Sequence, residues 1–132
     1  MAIEPMRWGF PPPPFVTSKA PVTNVRNVSK GFWKPYLGKE NRCLVPATAF
    51  SEWNAALKRP SWFKLPEGTM FYFAGIWRTW TGDRGTKKQP NVGDHVLFSF
   101  LTTEPNTVVK PIHPKAMPVL LRDKAADRKS VV

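Results

Sequence analysis

Acidic residues are scarce in this chain. Nine Asp and Glu stand against twenty Lys and Arg among 132 residues, a formal net charge of +11. Such an excess fits a polyanionic partner, most simply nucleic acid; the plainer alternative is a basic surface kept for solubility. Cysteine is nearly absent. Cys43 stands alone, so no disulfide can form within the chain, in agreement with a reducing compartment. One Cys and two His cannot build the usual Cys/His zinc site, and no metal or other cofactor is expected. Long apolar runs are missing as well: none approaches the roughly 20 residues of a membrane-spanning helix. The N-terminus lacks the charged-then-apolar pattern of a secretion signal. The expectation is a soluble intracellular protein with no membrane partner.

What is present is aromatic and proline-rich. The chain holds six Trp, nine Phe and 15 Pro, and its 42% apolar content is enough for one core. Aromatics beside cations suit single-stranded nucleic acid, because bases stack on rings while phosphates take the charges. Most of these rings are nevertheless expected in the core.

Four successive prolines, Pro11 to Pro14, exclude a helix and favour an extended path. Met6 to Phe10 reads as a short strand or turn, and the flanking Phe10 and Phe15 are expected to pack on the domain. Trp33, Tyr36 and Leu37 have the spacing of a helical turn, which Pro35 confines to a first turn. Residues 43–53 read as a strand entering a turn. Ser61 to Leu65 and Thr69 to Trp80 read as strands of a meander, separated by the Pro66-Glu-Gly68 turn. Residues 81–94 read as a mobile loop, Val96 to Thr102 as a strand, Glu104 to Val109 as the start of a short helix, and Pro118 to Leu121 as a last strand. The sum is α+β, mainly antiparallel β with few short helices, in a distorted barrel-like form.

Four residues invite a chemical reading. Glu52 lies between Phe50 and Trp53, and a carboxyl in apolar company resists ionisation and can move protons; its plain reading is a rim carboxylate paired with a cation. His113 is framed by Pro111 and Pro114, which stiffen the backbone and fix where the imidazole points; alone it could be an ordinary surface histidine. Asn24 and Arg26 occupy alternate positions, so an extended backbone turns both to one face. Asn can orient a substrate and Arg can clamp a phosphate; otherwise one serves a turn and the other faces solvent. Cys43, inside an apolar run, reads as a buried structural thiol, and His95 beside Asp94 as unremarkable. A hydrolase using Ser51 or Cys43 with His113 lacks any Gly-x-Ser-x-Gly signature.

No spacing rule brings Asn24, Glu52 and His113 together, but their motifs do. Arg7-Trp-Gly-Phe10, Asn24-Val-Arg26, Arg42-Cys-Leu-Val-Pro-Ala47 with Phe50-Ser-Glu-Trp53, Phe73-Ala-Gly-Ile-Trp77, Leu101-Thr-Thr-Glu-Pro-Asn106 and Ile112-His-Pro-Lys-Ala-Met-Pro-Val119 run in one order. In that order the chain resembles the SOS response-associated peptidase family, whose members process abasic sites. The resemblance implies a monomer with a basic groove for single-stranded DNA, cytoplasmic and nucleoid-associated when bound. Asn24, Glu52 and His113 would be catalytic: Asn24 orienting the sugar or the N-terminal group, Glu52 assisting proton transfer and His113 acting as acid or base. Arg26 and Lys115 would hold phosphates, and Trp8 would pack against a base or sugar.

Family members bond covalently to the abasic aldehyde through a cysteine directly after the initiator methionine, exposed when the protein removes that methionine. Position 2 here is Ala, and the Trp-Gly motif begins at residue 8. The sequence therefore reads as one incomplete family domain over 1–121, lacking the nucleophile's segment, followed by a charged tail over 122–132. A DNA-binding remnant without chemistry is the alternative.

Overall fold

The computed structural model describes residues 3–29 and 31–122. The tail expected over 122–132 lies outside the described residues from 123 onward. The strands are β1 (Arg7–Trp8), β2 (Asn24–Val25), β3 (Arg42–Ala47), β4 (Phe50–Asn54), β5 (Arg59–Phe63), β6 (Phe71–Asp83), β7 (Val92–Thr103), β8 (Met117–Pro118) and β9 (Leu120–Leu121). Seven of them form one sheet in the order β1-β7-β6-β3; β2 and β8 also pair with β7, and β9 with β6. β4 and β5 make a separate two-stranded ribbon. Helical content among the described residues is three 3-10 turns, Lys34–Tyr36, Lys39–Asn41 and Pro66–Gly68. The fold is thus mainly β with few short helices, but among the described residues its strand path is open and does not close into a barrel. Pairing is mostly antiparallel; β1 and β2 run parallel to β7.

The central hairpin β6–β7 is apolar on both faces because both are covered. Side chains alternate along a strand. β6 sends Phe71 and Phe73 to one face and Ala74 and Ile76 to the other; β7 sends Phe98 and Phe100 one way, Leu97 and Leu101 the other. One core gathers Phe10, Val25, Trp33, Ile76, Leu97 and Leu101. The N-terminal segment covers it: Phe10 and Val22 exchange backbone hydrogen bonds of 2.9 and 2.8 Å, and the Phe10 ring meets Trp33 and Tyr36. The Trp33–Tyr36 aromatics therefore serve the core. Phe15 departs from expectation: it is 74% exposed and meets Phe32 only edge-on. The second core is the aromatic face, Phe71, Phe73 and Phe100 with Phe50 and Phe98 against them.

Three readings are corrected. Residues 81–94 are not one mobile loop: β6 continues to Asp83 and β7 starts at Val92. The Gly, Asp and Asn content marks only the 84–91 tip, which Asp83 closes by accepting the amides of Gly85 and Asn91 at 2.8 and 2.9 Å. Glu104 to Val109 starts no helix: Asn106 Oδ1 accepts the amides of Val108 and Val109 in a cap-like arrangement, but residues 107–112 form only hydrogen-bonded turns. Residues 43–53 likewise form two strands, β3 and β4, parted at Thr48-Ala49.

β6 and β7 part beyond the Gly75–Phe100 pair, and residues 117–121 fill the gap. β8 pairs with β7, β9 pairs with β6, and Val119 between them bonds both: its carbonyl accepts the Ala74 amide and its amide donates to Leu101. This wedge fixes the loop that carries His113. Gly75 sits at the fork. A Cβ there would stand 2.9 Å from the Ser99 carbonyl oxygen and 3.0 Å from Cys43 Sγ. Overpacking of this kind costs about 1–3 kcal/mol. Gly75→Ala is expected to lower the urea midpoint of unfolding; an unchanged midpoint would show that the fork yields freely.

Candidate functional site

The β4–β5 ribbon presents alternating faces. Phe50, Glu52 and Asn54 turn inward, while Ser51 and Trp53 are exposed. Phe50 stacks on Phe63 across the ribbon at 5.1 Å and meets Phe71 and Phe73 edge-on at 6.3 and 6.0 Å. These contacts press the inner face onto the aromatic face of the sheet, so Glu52 points toward the sheet. At the ribbon's end Asn54 Oδ1 accepts the amides of Ala56 and Leu57 and closes the turn.

His113 meets Glu52 there. Its Nε2 lies 3.6 Å from Glu52 Oε2, too long for a hydrogen bond but within ion-pair distance. The side chains are 33% and 21% exposed. The His113 amide donates to the Val109 carbonyl, and ring Nδ1 lies 2.8 Å from the Ala116 carbonyl oxygen. A carbonyl only accepts, so Nδ1 carries the hydrogen and Nε2 is turned to Glu52. Burial pushes the Glu52 carboxyl above its ordinary 4.5, and the charge on His113 pulls it back by a smaller amount. The two groups therefore stand close enough to act on the protons of one group bound beside them.

The other expected residues adjoin this pair through the sheet. Asn24 pairs with Phe100 in the parallel β2–β7 register, and Phe100 lies on Phe73 at 4.5 Å. Asn24 thus shares the face against which the Glu52 ribbon packs. Its Nδ2 donates to Thr23 Oγ1; no hydrogen bond among the described residues joins it to Glu52 or His113. Arg26, two residues on, donates from Nη1 to the Lys115 carbonyl at 3.1 Å and so braces the His113 loop. Its Nη2 stands 3.9 Å from Glu104 Oε1 in an exposed pair of small energetic weight. The Lys115 side chain is exposed. Trp8 is 47% exposed; its Nε1 donates to the Thr23 carbonyl and its ring lies over Phe98 and Phe100.

Sequence reasoning missed the backbone acceptors, the carbonyls of Thr23, Lys115 and Ala116, which carry no side-chain signal. It also missed Phe100 as the platform under Asn24, although the alternation of β7 marks that position. Cys43 is half-buried in β3, opposite Gly75, rather than deep in the core.

The family model described as SOS response associated peptidase (SRAP) matches residues 1–129. The chain belongs to the SRAP family. It is 32% identical over 127 residues to "Abasic site processing protein YoaM" of Bacillus subtilis (strain 168), covering 88% of this chain and 51% of that protein. A solved structure from Bacteroides thetaiotaomicron aligns with a TM-score of 0.60 at 26% identity, over 83% of this chain and 47% of that one. One from Bordetella bronchiseptica aligns at 0.67 and 19% identity, over 96% of this chain and 70% of that one, and shares the fold. The SRAP chain described here spans about half the length of the curated relative it matches.

Proposed function

We propose that this SRAP chain binds single-stranded DNA and holds an abasic sugar between Glu52, His113 and Asn24. The observation that carries the reading is the Glu52–His113 pair, set on the aromatic face of a strongly basic domain. An abasic sugar is a cyclic hemiacetal. Opening it takes the proton from the C1 hydroxyl, delivers one to the ring oxygen, breaks the C1–ring oxygen bond and forms the aldehyde. Two proton-handling groups that face one bound sugar can take a proton at one atom and give one at the other. Asn24 would orient the sugar, and Arg26 and Lys115 would neutralise flanking phosphates. Trp8, Trp53 and Trp62 are all exposed and would offer faces to the bases.

In the family an N-terminal cysteine captures the aldehyde; residue 2 of this sequence is Ala. Cys43 is not given that part, since it lies in β3 against Gly75. The pieces assigned here are those that grip the strand and move protons.

The test is anisotropy of a labelled 12-nucleotide strand containing one abasic site. With only Arg26 and Lys115 on phosphates, affinity should fall about sevenfold between 50 and 200 mM salt. Arg26→Gln should make the log–log salt slope shallower by about 0.7. Affinity indifferent to salt, or equal for duplex and single strand, would remove the reading.

A further inference from the structure

The tip of the β6–β7 hairpin folds back on the sheet edge and makes a second basic hollow. Arg7, Arg84, Gly85, Thr86, Gln89, Pro90 and Asn91 surround a concavity of about 400 Å³. Its shape is built. Asp83 spends its carboxylate on the Gly85 and Asn91 amides, Arg84 N donates to the Asn91 carbonyl, and Thr86 and Gln89 bond each other. Arg84 Nη2 reaches the Trp8 carbonyl at 3.5 Å, past Gly9, where a Cβ would stand 3.5 Å from the same nitrogen and 2.6 Å from Pro21.

The charges in this hollow are unbalanced. Neither Arg7 nor Arg84 has a carboxylate within ion-pair distance among the described residues. Arg84 Nε is buried with no hydrogen-bond partner. Leaving such a donor unmet opposes folding. Burial and the nearby Arg7 both push the Arg84 guanidinium below its ordinary pKa, which records two cations crowded together. Lys87 and Lys88, both exposed, crown the same loop. An anion with several acceptor oxygens would relieve the repulsion between the two guanidinium groups.

We infer that Arg7 and Arg84 form a second phosphate-binding site, taking a backbone phosphate of the same DNA strand whose abasic sugar lies at Glu52 and His113. This rests on the function proposed above. The position favours a strand over a free anion. β1 is the sheet edge, with Trp8 paired to Phe98 on the aromatic face and Arg7 paired to Leu97 on the opposite one. Arg84 is bonded to the Trp8 carbonyl itself. A strand leaving the Trp8 ring and turning over that edge meets the hollow next.

The experiment compares wild type, Arg84→Gln and Arg7→Gln on the 12-nucleotide abasic strand across a salt series. Binding of inorganic phosphate is followed in parallel through the Arg84 Nε–Hε resonance. Each variant should bind the strand about three- to tenfold more weakly. Each should also show a salt slope shallower by about 0.7. In the wild type the strand should shift the Arg84 resonance. Arg7 is exposed, so Arg7→Gln remains decisive if Arg84→Gln loses its melting transition; Arg84→Lys, which keeps the charge, should recover much of the affinity. Wild-type DNA binding with both variants unchanged would overturn the second site and leave the proposed function standing. A resonance moved by inorganic phosphate but not by DNA would also overturn it, in favour of a free-phosphate site. No wild-type affinity for single strands would overturn the function and this inference together.

Discussion

Glu52→Gln is expected to slow the opening of a bound abasic sugar by about 10²–10⁴-fold, the usual loss when a positioned acid or base is removed. Exchange between the two hemiacetal anomers of a C1-labelled abasic site reads this step directly, because it passes through the open aldehyde and needs no nucleophile. Affinity for intact single strands should hardly change, since no phosphate contact is touched. The same substitution should make the fold more stable at neutral pH. The Glu52 carboxyl is raised above 4.5 by burial, so ionising it costs the folded state. Its favourable contribution is complete below about pH 4.5 and is lost as pH rises through the raised folded value. Gln never ionises. The variant should therefore melt above wild type at pH 7, with the gap closing below pH 4.5. Slower opening without added stability would mean that Glu52 acts by geometry alone; unchanged opening would remove it from the proton path.

Phe73→Ala should cost about 3–5 kcal/mol, a large part of the 5–15 kcal/mol typical of a whole domain. Phe73 is buried where the aromatic face is densest, 4.5 Å from Phe100, 5.4 Å from Phe71 and 6.0 Å from Phe50. Phe50 carries the ribbon, and the ribbon carries Glu52. The substitution should thus lower the urea midpoint and also loosen the ribbon, so that Glu52 loses burial and its carboxyl titrates closer to 4.5. Val108→Ala, at an exposed site, should stay within about 0.5 kcal/mol of wild type. A Phe73→Ala protein that still opened the sugar at the wild-type rate would show that the ribbon does not depend on this contact.

The β character was legible because Met70 to Trp77 is apolar nearly throughout, and only a strand covered on both faces uses such a run. The core role of Trp33 and Tyr36 was legible from their spacing. The 81–94 segment misled because turn-forming residues say where a chain can bend, not how far pairing continues into them. Gly82 and Gly93 are paired with each other inside the hairpin. Phe15 misled because an apolar flank does not reveal whether a surface is left for it to cover.

From the amino acids alone came the excess of positive charge, the β-rich class, the family and the choice of Glu52 and His113 as candidates. All of these are local or compositional, and each survives without knowing which strands meet. The tertiary structure alone decided that Glu52 and His113 stand 3.6 Å apart, that Asn24 shares their face through Phe100, and that Arg84 reaches Arg7's edge of the sheet. Those facts depend on register and on the fork at Gly75, where residues 117–121 enter between β6 and β7. Pairing between strands so distant in sequence is set by packing of the whole sheet, and no short window of residues encodes it.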